Sequence, residues 1–203
     1  MESNRSLRIK VLLLSLMLAG CAKLPDSSYR NVPEHNSLKI MQQDRAFVLA
    51  VHPNFNVSQY DGLILGEVTM RKSIDGNKKE VVEHDDLDKT LIQHLTPRLK
   101  GSNSNGLRMD VEIYDIQPVS PTLNVLSAVV LLVPLDSGEL TMKTTFRDNT
   151  GQVQAVRIER LSGSVMNISE GFSRYGRLTD ALAEWTTHWD RWPACMSEKK
   201  ANT

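Results

Sequence analysis

Leu107-Arg108-Met109-Asp110-Val111-Glu112-Ile113 is the stretch on which the fold turns. Its apolar residues Leu107, Met109, Val111 and Ile113 alternate with Arg108, Asp110 and Glu112, the period of two that marks a strand with one buried and one wetter face. The same alternation returns at Leu140, Met142, Thr144 and Phe146 against Thr141, Lys143, Thr145 and Arg147. Asp148-Asn149-Thr150-Gly151 supplies a tight connection, and Val153 to Leu161 comes back as the hairpin partner. Ala155 and Val156 are adjacent and both apolar, so the phase of this returning strand is open and a bulge there is one reading.

Working outward, the segment before this strand predicts a helix over Asp85 to Leu99. Leu87, Leu91, Leu95 and Leu99 recur every four residues with Ile92 beside them, forming one apolar stripe. Asp85 can cap it, Asp86 and Asp88 suit the positive end of the helix dipole, and Pro97 ends the regular part. Gly101-Ser102-Asn103-Ser104-Asn105-Gly106 is a loop by composition. Further upstream, Phe47 to Val51, stopped by Pro53, is a strand or a strand-like turn, and Asp61 to Met70 is a β-rich run that fits burial on both faces. A second helix is predicted near Leu178 to Trp192. There Leu178, Ala181, Leu182, Trp185, Trp189 and Trp192 share one broad face, and Pro193 stops it. Those tryptophans read either as a helix laid across a sheet or as a platform for stacking a ligand. Together the elements predict an α+β fold, a small mixed or antiparallel sheet of about four to five strands with two main helices packed on it.

The N-terminus speaks to location. Arg5, Arg8 and Lys10 precede an apolar run from Val11 to Ala19, and Leu18-Ala19-Gly20-Cys21 closes it. Basic region, short apolar core and small residues make a secretory signal, too short to span a bilayer as a helix. A cysteine directly after Ala19-Gly20 makes it a lipobox, with cleavage between Gly20 and Cys21 and lipidation of Cys21. The expected organisation is a signal at 1–20, a flexible tether at 21–45, one α+β periplasmic domain at 46–193 and a tail at 194–203. Acyl chains on Cys21 would hold the domain on the membrane. Ala22, in place of Asp, points to the outer membrane by resemblance to sorted bacterial lipoproteins.

The whole chain has 24 basic and 24 acidic residues. Removing Arg5, Arg8, Lys10 and Glu2 with the signal leaves 21 and 23, a net of −2. That balance leaves no electrostatic footprint for nucleic acid. With Cys21 acylated, Cys195 is either a passive thiol or one half of an intermolecular disulfide.

The order of several soft motifs resembles a family of bacterial lipoproteins known only as a domain of unknown function. Val57-Ser58-Gln59-Tyr60-Asp61 leads into a strand, the leucine-striped helix follows, and a strand runs on through Gln117 to Asn124. The Asp148–Gly151 hairpin and Ala183-Glu184-Trp185 complete the order, which spans roughly Asn56 to Trp192. The resemblance implies a small α+β envelope domain and brings no catalytic residues.

The chemistry-bearing residues are sparse. His84-Asp85-Asp86-Leu87-Asp88, with His94, is the densest group of metal-ligand types, but on a helix only Asp88 stacks on His84, so no metal is expected. Ser162-Gly163-Ser164 lacks the Gly-x-Ser-x-Gly elbow, and no P-loop or dinucleotide fingerprint occurs. No cofactor and no catalytic role are therefore expected. The leading expectation is a lipid-anchored, non-catalytic envelope component facing the periplasm, with an envelope protein or a second copy as partner. The alternatives are a carrier or sensor of a small apolar ligand held between helix and sheet, and a hydrolase. The run Leu123 to Val133 is apolar except for Asn124 and Ser127, and Leu126, Val129, Val130, Leu131 and Leu132 are either core or an interaction surface.

Overall fold

The structure, a computed structural model, describes residues 37–43, 46–70, 85–117, 138–163 and 176–196. Six strands make one sheet: β1 (Lys39–Gln43), β2 (Phe47–Val51), β3 (Leu63–Met70), β4 (Leu107–Gln117), β5 (Glu139–Arg147) and β6 (Val153–Ser162). Their order in space is β1-β2-β6-β5-β4-β3. Helix α1 (Asp85–Leu95) lies between β3 and β4 in the chain, and α2 (Gly176–Thr186) follows β6. β3 and β4 run parallel, which the α1 crossover allows, while the other neighbouring strands are antiparallel.

The fold is thus α+β with a mixed sheet, and it has six strands where four to five were expected. The sixth is β1, which falls inside the predicted tether. Lys39-Ile40-Met41-Gln42-Gln43 is an edge strand exposed along most of its length, so it carries no apolar alternation to read. Its backbone pairing with β2 makes it a strand. At the other end, Ala194–Met196 forms a 3-10 turn in the predicted tail, and Met196 is buried.

Register sorts the side chains by face. Met109 lies opposite Phe146, and Phe146 opposite Ala155. One face of the sheet therefore carries Leu107, Met109, Val111 and Ile113 of β4 and Leu140, Met142 and Phe146 of β5. The leucines 87, 91 and 95 of α1 and Leu178, Leu182 and Trp185 of α2 join these in one core. α1 packs on β3, α2 on β6, and the helices pack on each other. Burial of a leucine or phenylalanine stabilises by about 1.5–3 kcal/mol, so this layer supplies the main driving force for folding.

The opposite face is also buried at its β2–β6 side, through Val48, Ala50, Val156 and Ile158. That explains the adjacent Ala155 and Val156: each faces a different buried layer. The β5–β6 ladder runs regularly through them, and its irregularity sits at the turn, between Phe146 and Arg147. The turn itself needs Gly151, whose φ of 84° lies in the left-handed region. Asp148 Oδ1 accepts bonds there from the N–H groups of Thr150 (2.9 Å) and Gln152 (3.0 Å).

Two further expectations change. β3 is an edge strand, half-buried along most of its length rather than buried on both faces. α2 stops at Thr186, and Thr187–Arg191 winds as a 3-10 turn. The hydroxyls of Thr186 and Thr187 donate to the carbonyls three residues back, at 2.7 and 2.6 Å, competing with the regular helical ladder at this point. α1 ends at Leu95, ahead of Pro97, as the proline dictates.

Candidate functional site

The loops before β3 and β4 meet at one end of the sheet, and Asp61 organises them. Its Oδ1 accepts the backbone N–H of Ser102 at 3.0 Å, and its Oδ2 accepts the Ser102 hydroxyl. These bonds, the hydroxyl first, hold the Asp61 carboxyl below the usual carboxylate range. Gly101 N–H donates to the Leu63 carbonyl (2.8 Å) and Leu107 N–H to that of Gly62 (2.9 Å). Gly62 and Gly101 approach so closely that a Cβ on either meets the other's backbone at 2.7–2.8 Å. Only glycine fits that contact.

Beside this junction lies a cleft of about 380 Å³, lined by Asp61, Gly62, Leu63, Arg98, Lys100, Trp189, Asp190 and Trp192. Its walls come from the start of β3, the turn that ends α1 and the 3-10 turn that follows α2. An ion pair from Arg98 Nη1 to Asp190 Oδ2 ties the last two together. Both walls also contribute a buried donor without an acceptor among the described residues, Arg98 Nε–H and Trp189 Nε1–H. Leaving such a group buried and unmatched costs about 1–3 kcal/mol, and most native N–H groups avoid it.

Trp189 is held from behind by the core. Its ring meets Trp185 edge-on at 5.2 Å between centroids and Phe146 at 5.7 Å. The Arg157 guanidinium lies 5.4 Å from the Trp189 ring and 4.8 Å from that of Phe47, within cation–π range. Arg157 and Glu159 stand on the helix-facing side of β6, since Arg157 is opposite Thr144 and Glu159 opposite Met142. Both are buried, at 0 % and 3 % exposure. Arg157 Nη2 donates to Glu159 Oε1 at 2.5 Å, and Trp185 Nε1 donates to Glu159 Oε2. A charged pair, two indoles and two phenyl rings thus form one buried network, and Trp189 connects it to the cleft.

A smaller hollow of about 190 Å³ lies at the same end, lined by Gln59, Tyr60, Asn105, Gly106, Asp148 and Asn149. Burial, and then the Asp148 carboxylate, raise the Tyr60 hydroxyl above its ordinary value. Its side chains already bond one another or the backbone: Asn105 donates to the Gln59 carbonyl at 2.8 Å, and Asp148 takes the turn donors.

The residues singled out in the sequence fall into three groups. Gly20, Cys21, Leu126, Val129, Val130, Leu131, Leu132, His84 and Ser164 lie outside the described residues. Trp185 and Trp189 are buried against the sheet, at 0 % and 1 % exposure, so neither offers an open stacking face. Trp192 is half-buried at the cleft. His188 is buried while Asp190 is exposed in its pair with Arg98, so the two do not act together. Among the described residues no three His, Cys, Asp or Glu side chains gather to hold a metal. Sequence reading missed Asp61, Arg98 and Lys100. The available signal was two glycines, Gly62 and Gly101, each flanked by a polar residue able to bond the other loop. No protein-family profile and no curated protein matches the chain.

Proposed function

We propose that the protein is a lipid-anchored, non-catalytic component of a bacterial cell envelope, whose α+β domain faces the periplasm and binds another envelope constituent. The observation that carries this reading is the order basic segment, short apolar run, then Leu18-Ala19-Gly20-Cys21. Ala22 supports the outer membrane as the destination, and kinship with the uncharacterised envelope lipoproteins belongs to the same proposal. A domain held beside a membrane meets its partners by proximity, because tethering raises their effective concentration. Among the described residues the cleft gives the domain a place to hold a ligand.

The carrier of an apolar molecule between helix and sheet is the weaker reading. That space is filled in the described core by Trp185, Trp189, Phe146, Leu182 and Met142, whereas a carrier needs an open apolar cavity.

The test is metabolic labelling with palmitate in a diderm host. Label should enter the wild type and vanish with Cys21→Ser, which should also release the domain or leave its signal uncleaved. Ala22→Asp should shift the protein towards the inner membrane. A wild-type protein that never takes label at Cys21 ends the anchoring proposal.

A further inference from the structure

The face of the sheet turned away from the helices is buried along one stripe. Register sets Ile40, Ala50, Val156, Thr145 and Asp110 in one row of that face, across β1, β2, β6, β5 and β4. Along the row Ile40 is 46 % exposed, Ala50 2 %, Val156 0 %, Thr145 7 % and the Asp110 side chain 21 %. The neighbouring row repeats the pattern, with Gln43 exposed, Val48 and Ile158 buried and Lys143 half-buried. Strand neighbours shield the flanks of a side chain that stands up from a sheet and leave its tip open, so burial this complete needs a layer on top. The helices do not supply it, because the core they build with the sheet contains none of Val48, Ala50, Val156 and Ile158. The stripe spans β2, β6 and β5, about 10 Å across, the width of one helix or one pair of strands.

This burial arises within a single chain, so the layer comes from the chain's own residues outside those described. Their composition separates them. Residues 22–36 are mostly polar and broken by Pro25 and Pro33, 71–84 are dense in Lys and Glu and follow β3 at the far edge of the sheet, and 197–203 are polar. Residues 164–175 carry Val165, Ile168 and Phe172, but they must deliver the chain to α2 on the helix side. Residues 118–137 hold the apolar run Leu123 to Val133, and both of their ends lie beside the stripe. Gln117 is opposite Glu139, and Glu139 is opposite Ser162 at the end of β6. From Ser162, Ile158 lies about 13 Å along β6, and a loop of about 20 residues extends to about 65 Å, enough to run out over the face and return. We infer that Leu123–Val133 lies across this face, over Val48, Ala50, Val156 and Ile158, as a third layer of the domain. Leu126, Val129, Val130, Leu131 and Leu132 then serve the domain's own packing, and a membrane or partner meets other surfaces. This goes beyond the reading of the domain as lipid-anchored and holds whether or not Cys21 is acylated.

The test is methyl NOE spectroscopy on the full chain in detergent, with Ile, Leu and Val methyls labelled and assigned from conservative single variants. The methyls of Val48, Val156 and Ile158 should share cross-peaks with methyls of Leu123–Val133 in the same chain. Cross-peaks to Val165 or Ile168 in their place would give the face to residues 164–175 and overturn the inference. Contacts seen only between differently labelled chains in a mixed sample, contacts only with detergent tails, or no contacts at all would overturn it too. Replacing Leu123–Val133 by an equally long Gly-Ser run should open the face, so that a soluble paramagnetic probe broadens the Val156 and Ile158 signals and a hydrophobic dye binds. Unchanged protection of those methyls in a folded variant would count against the inference; where the variant does not fold, the wild-type cross-peaks decide. A missing palmitate at Cys21 would end the anchoring proposal and leave these cross-peaks intact.

Discussion

Glu159→Gln tests the buried network most directly. The substitution keeps the volume of a side chain that is 3 % exposed and removes only its charge. Glu159 accepts from two donors, Arg157 Nη2 and Trp185 Nε1, on its two oxygens. Glutamine has one acceptor oxygen, so one of these donors loses its bond to residue 159 and the guanidinium loses the charge of Glu159. Removing one partner of a buried pair costs about 3–5 kcal/mol. The hydrogen bond that glutamine retains returns about 1 kcal/mol of that, leaving a loss of about 3 kcal/mol. A domain of ordinary stability, about 5–15 kcal/mol, survives this, so the variant should fold. Urea unfolding followed by tryptophan fluorescence and circular dichroism reads the effect. With a slope of about 2 kcal/mol/M, the midpoint should fall by about 1.5 M. Trp185→Phe, which keeps a ring and deletes the donor, should cost less, about 1.5–3 kcal/mol. Arg157→Met with Glu159→Leu and Trp185→Phe removes the three polar groups bonded to one another here and should recover part of the wild-type stability, since apolar replacement of buried pairs is often neutral or better. A Glu159→Gln midpoint within about 0.3 M of wild type, or an apolar triple variant weaker than Glu159→Gln, would refute the reasoning.

Gly101→Ala should destabilise by about 1–3 kcal/mol, because its Cβ meets the backbone of Gly62 and Leu63 at 2.8 Å. Scanning calorimetry should show a melting temperature lower by about 3–9 °C, and an unchanged melt would contradict the close approach. Asp148 gives a pH signature. Burial opposes its ionisation, but bonds from the Thr150 hydroxyl, the Gln154 amide and the N–H groups of Gln152 and Thr150 outweigh it and hold its carboxyl below the ordinary 3.8. A carboxyl lowered on folding stabilises the native state above its unfolded value, and that contribution is lost as pH falls through the folded value. Stability should therefore hold from neutral pH down to about pH 4 and fall below it, with a shallower fall in Asp148→Asn. Equal acid profiles for the two proteins would remove Asp148 from the account.

Much of this fold follows from local pattern. Alternation marks β4 because one face meets a packed layer and the other meets charge, as Met109 and Asp110 do; in β5 it marks only a change of chemistry, since Thr141 and Thr145 on the second face are buried as well. The leucine spacing of α1 works in the same way. The turn at Gly151 and the end of α1 at Pro97 are local steric facts that any neighbourhood would respect. The proposed signal and lipidation at Cys21 rest on sequence alone, because processing machinery of that kind reads sequence.

The tertiary structure decided what depends on partners distant in the chain. β1 is a strand only because β2 offers it a backbone edge; its own side chains carry no buried face. The phase of β6 is open in the sequence and nothing there marks the charged Arg157 and Glu159 for burial; they are core because Trp185, Phe47 and Trp189 arrive from other elements to receive them. The cleft joins Asp61–Leu63, Arg98–Lys100 and Trp189–Trp192, three segments that share no sequence period. Periodicity reports the contrast between one side of an element and the other. It cannot report which side chain from elsewhere completes a hydrogen bond, and here the network and the cleft are both made of such completions.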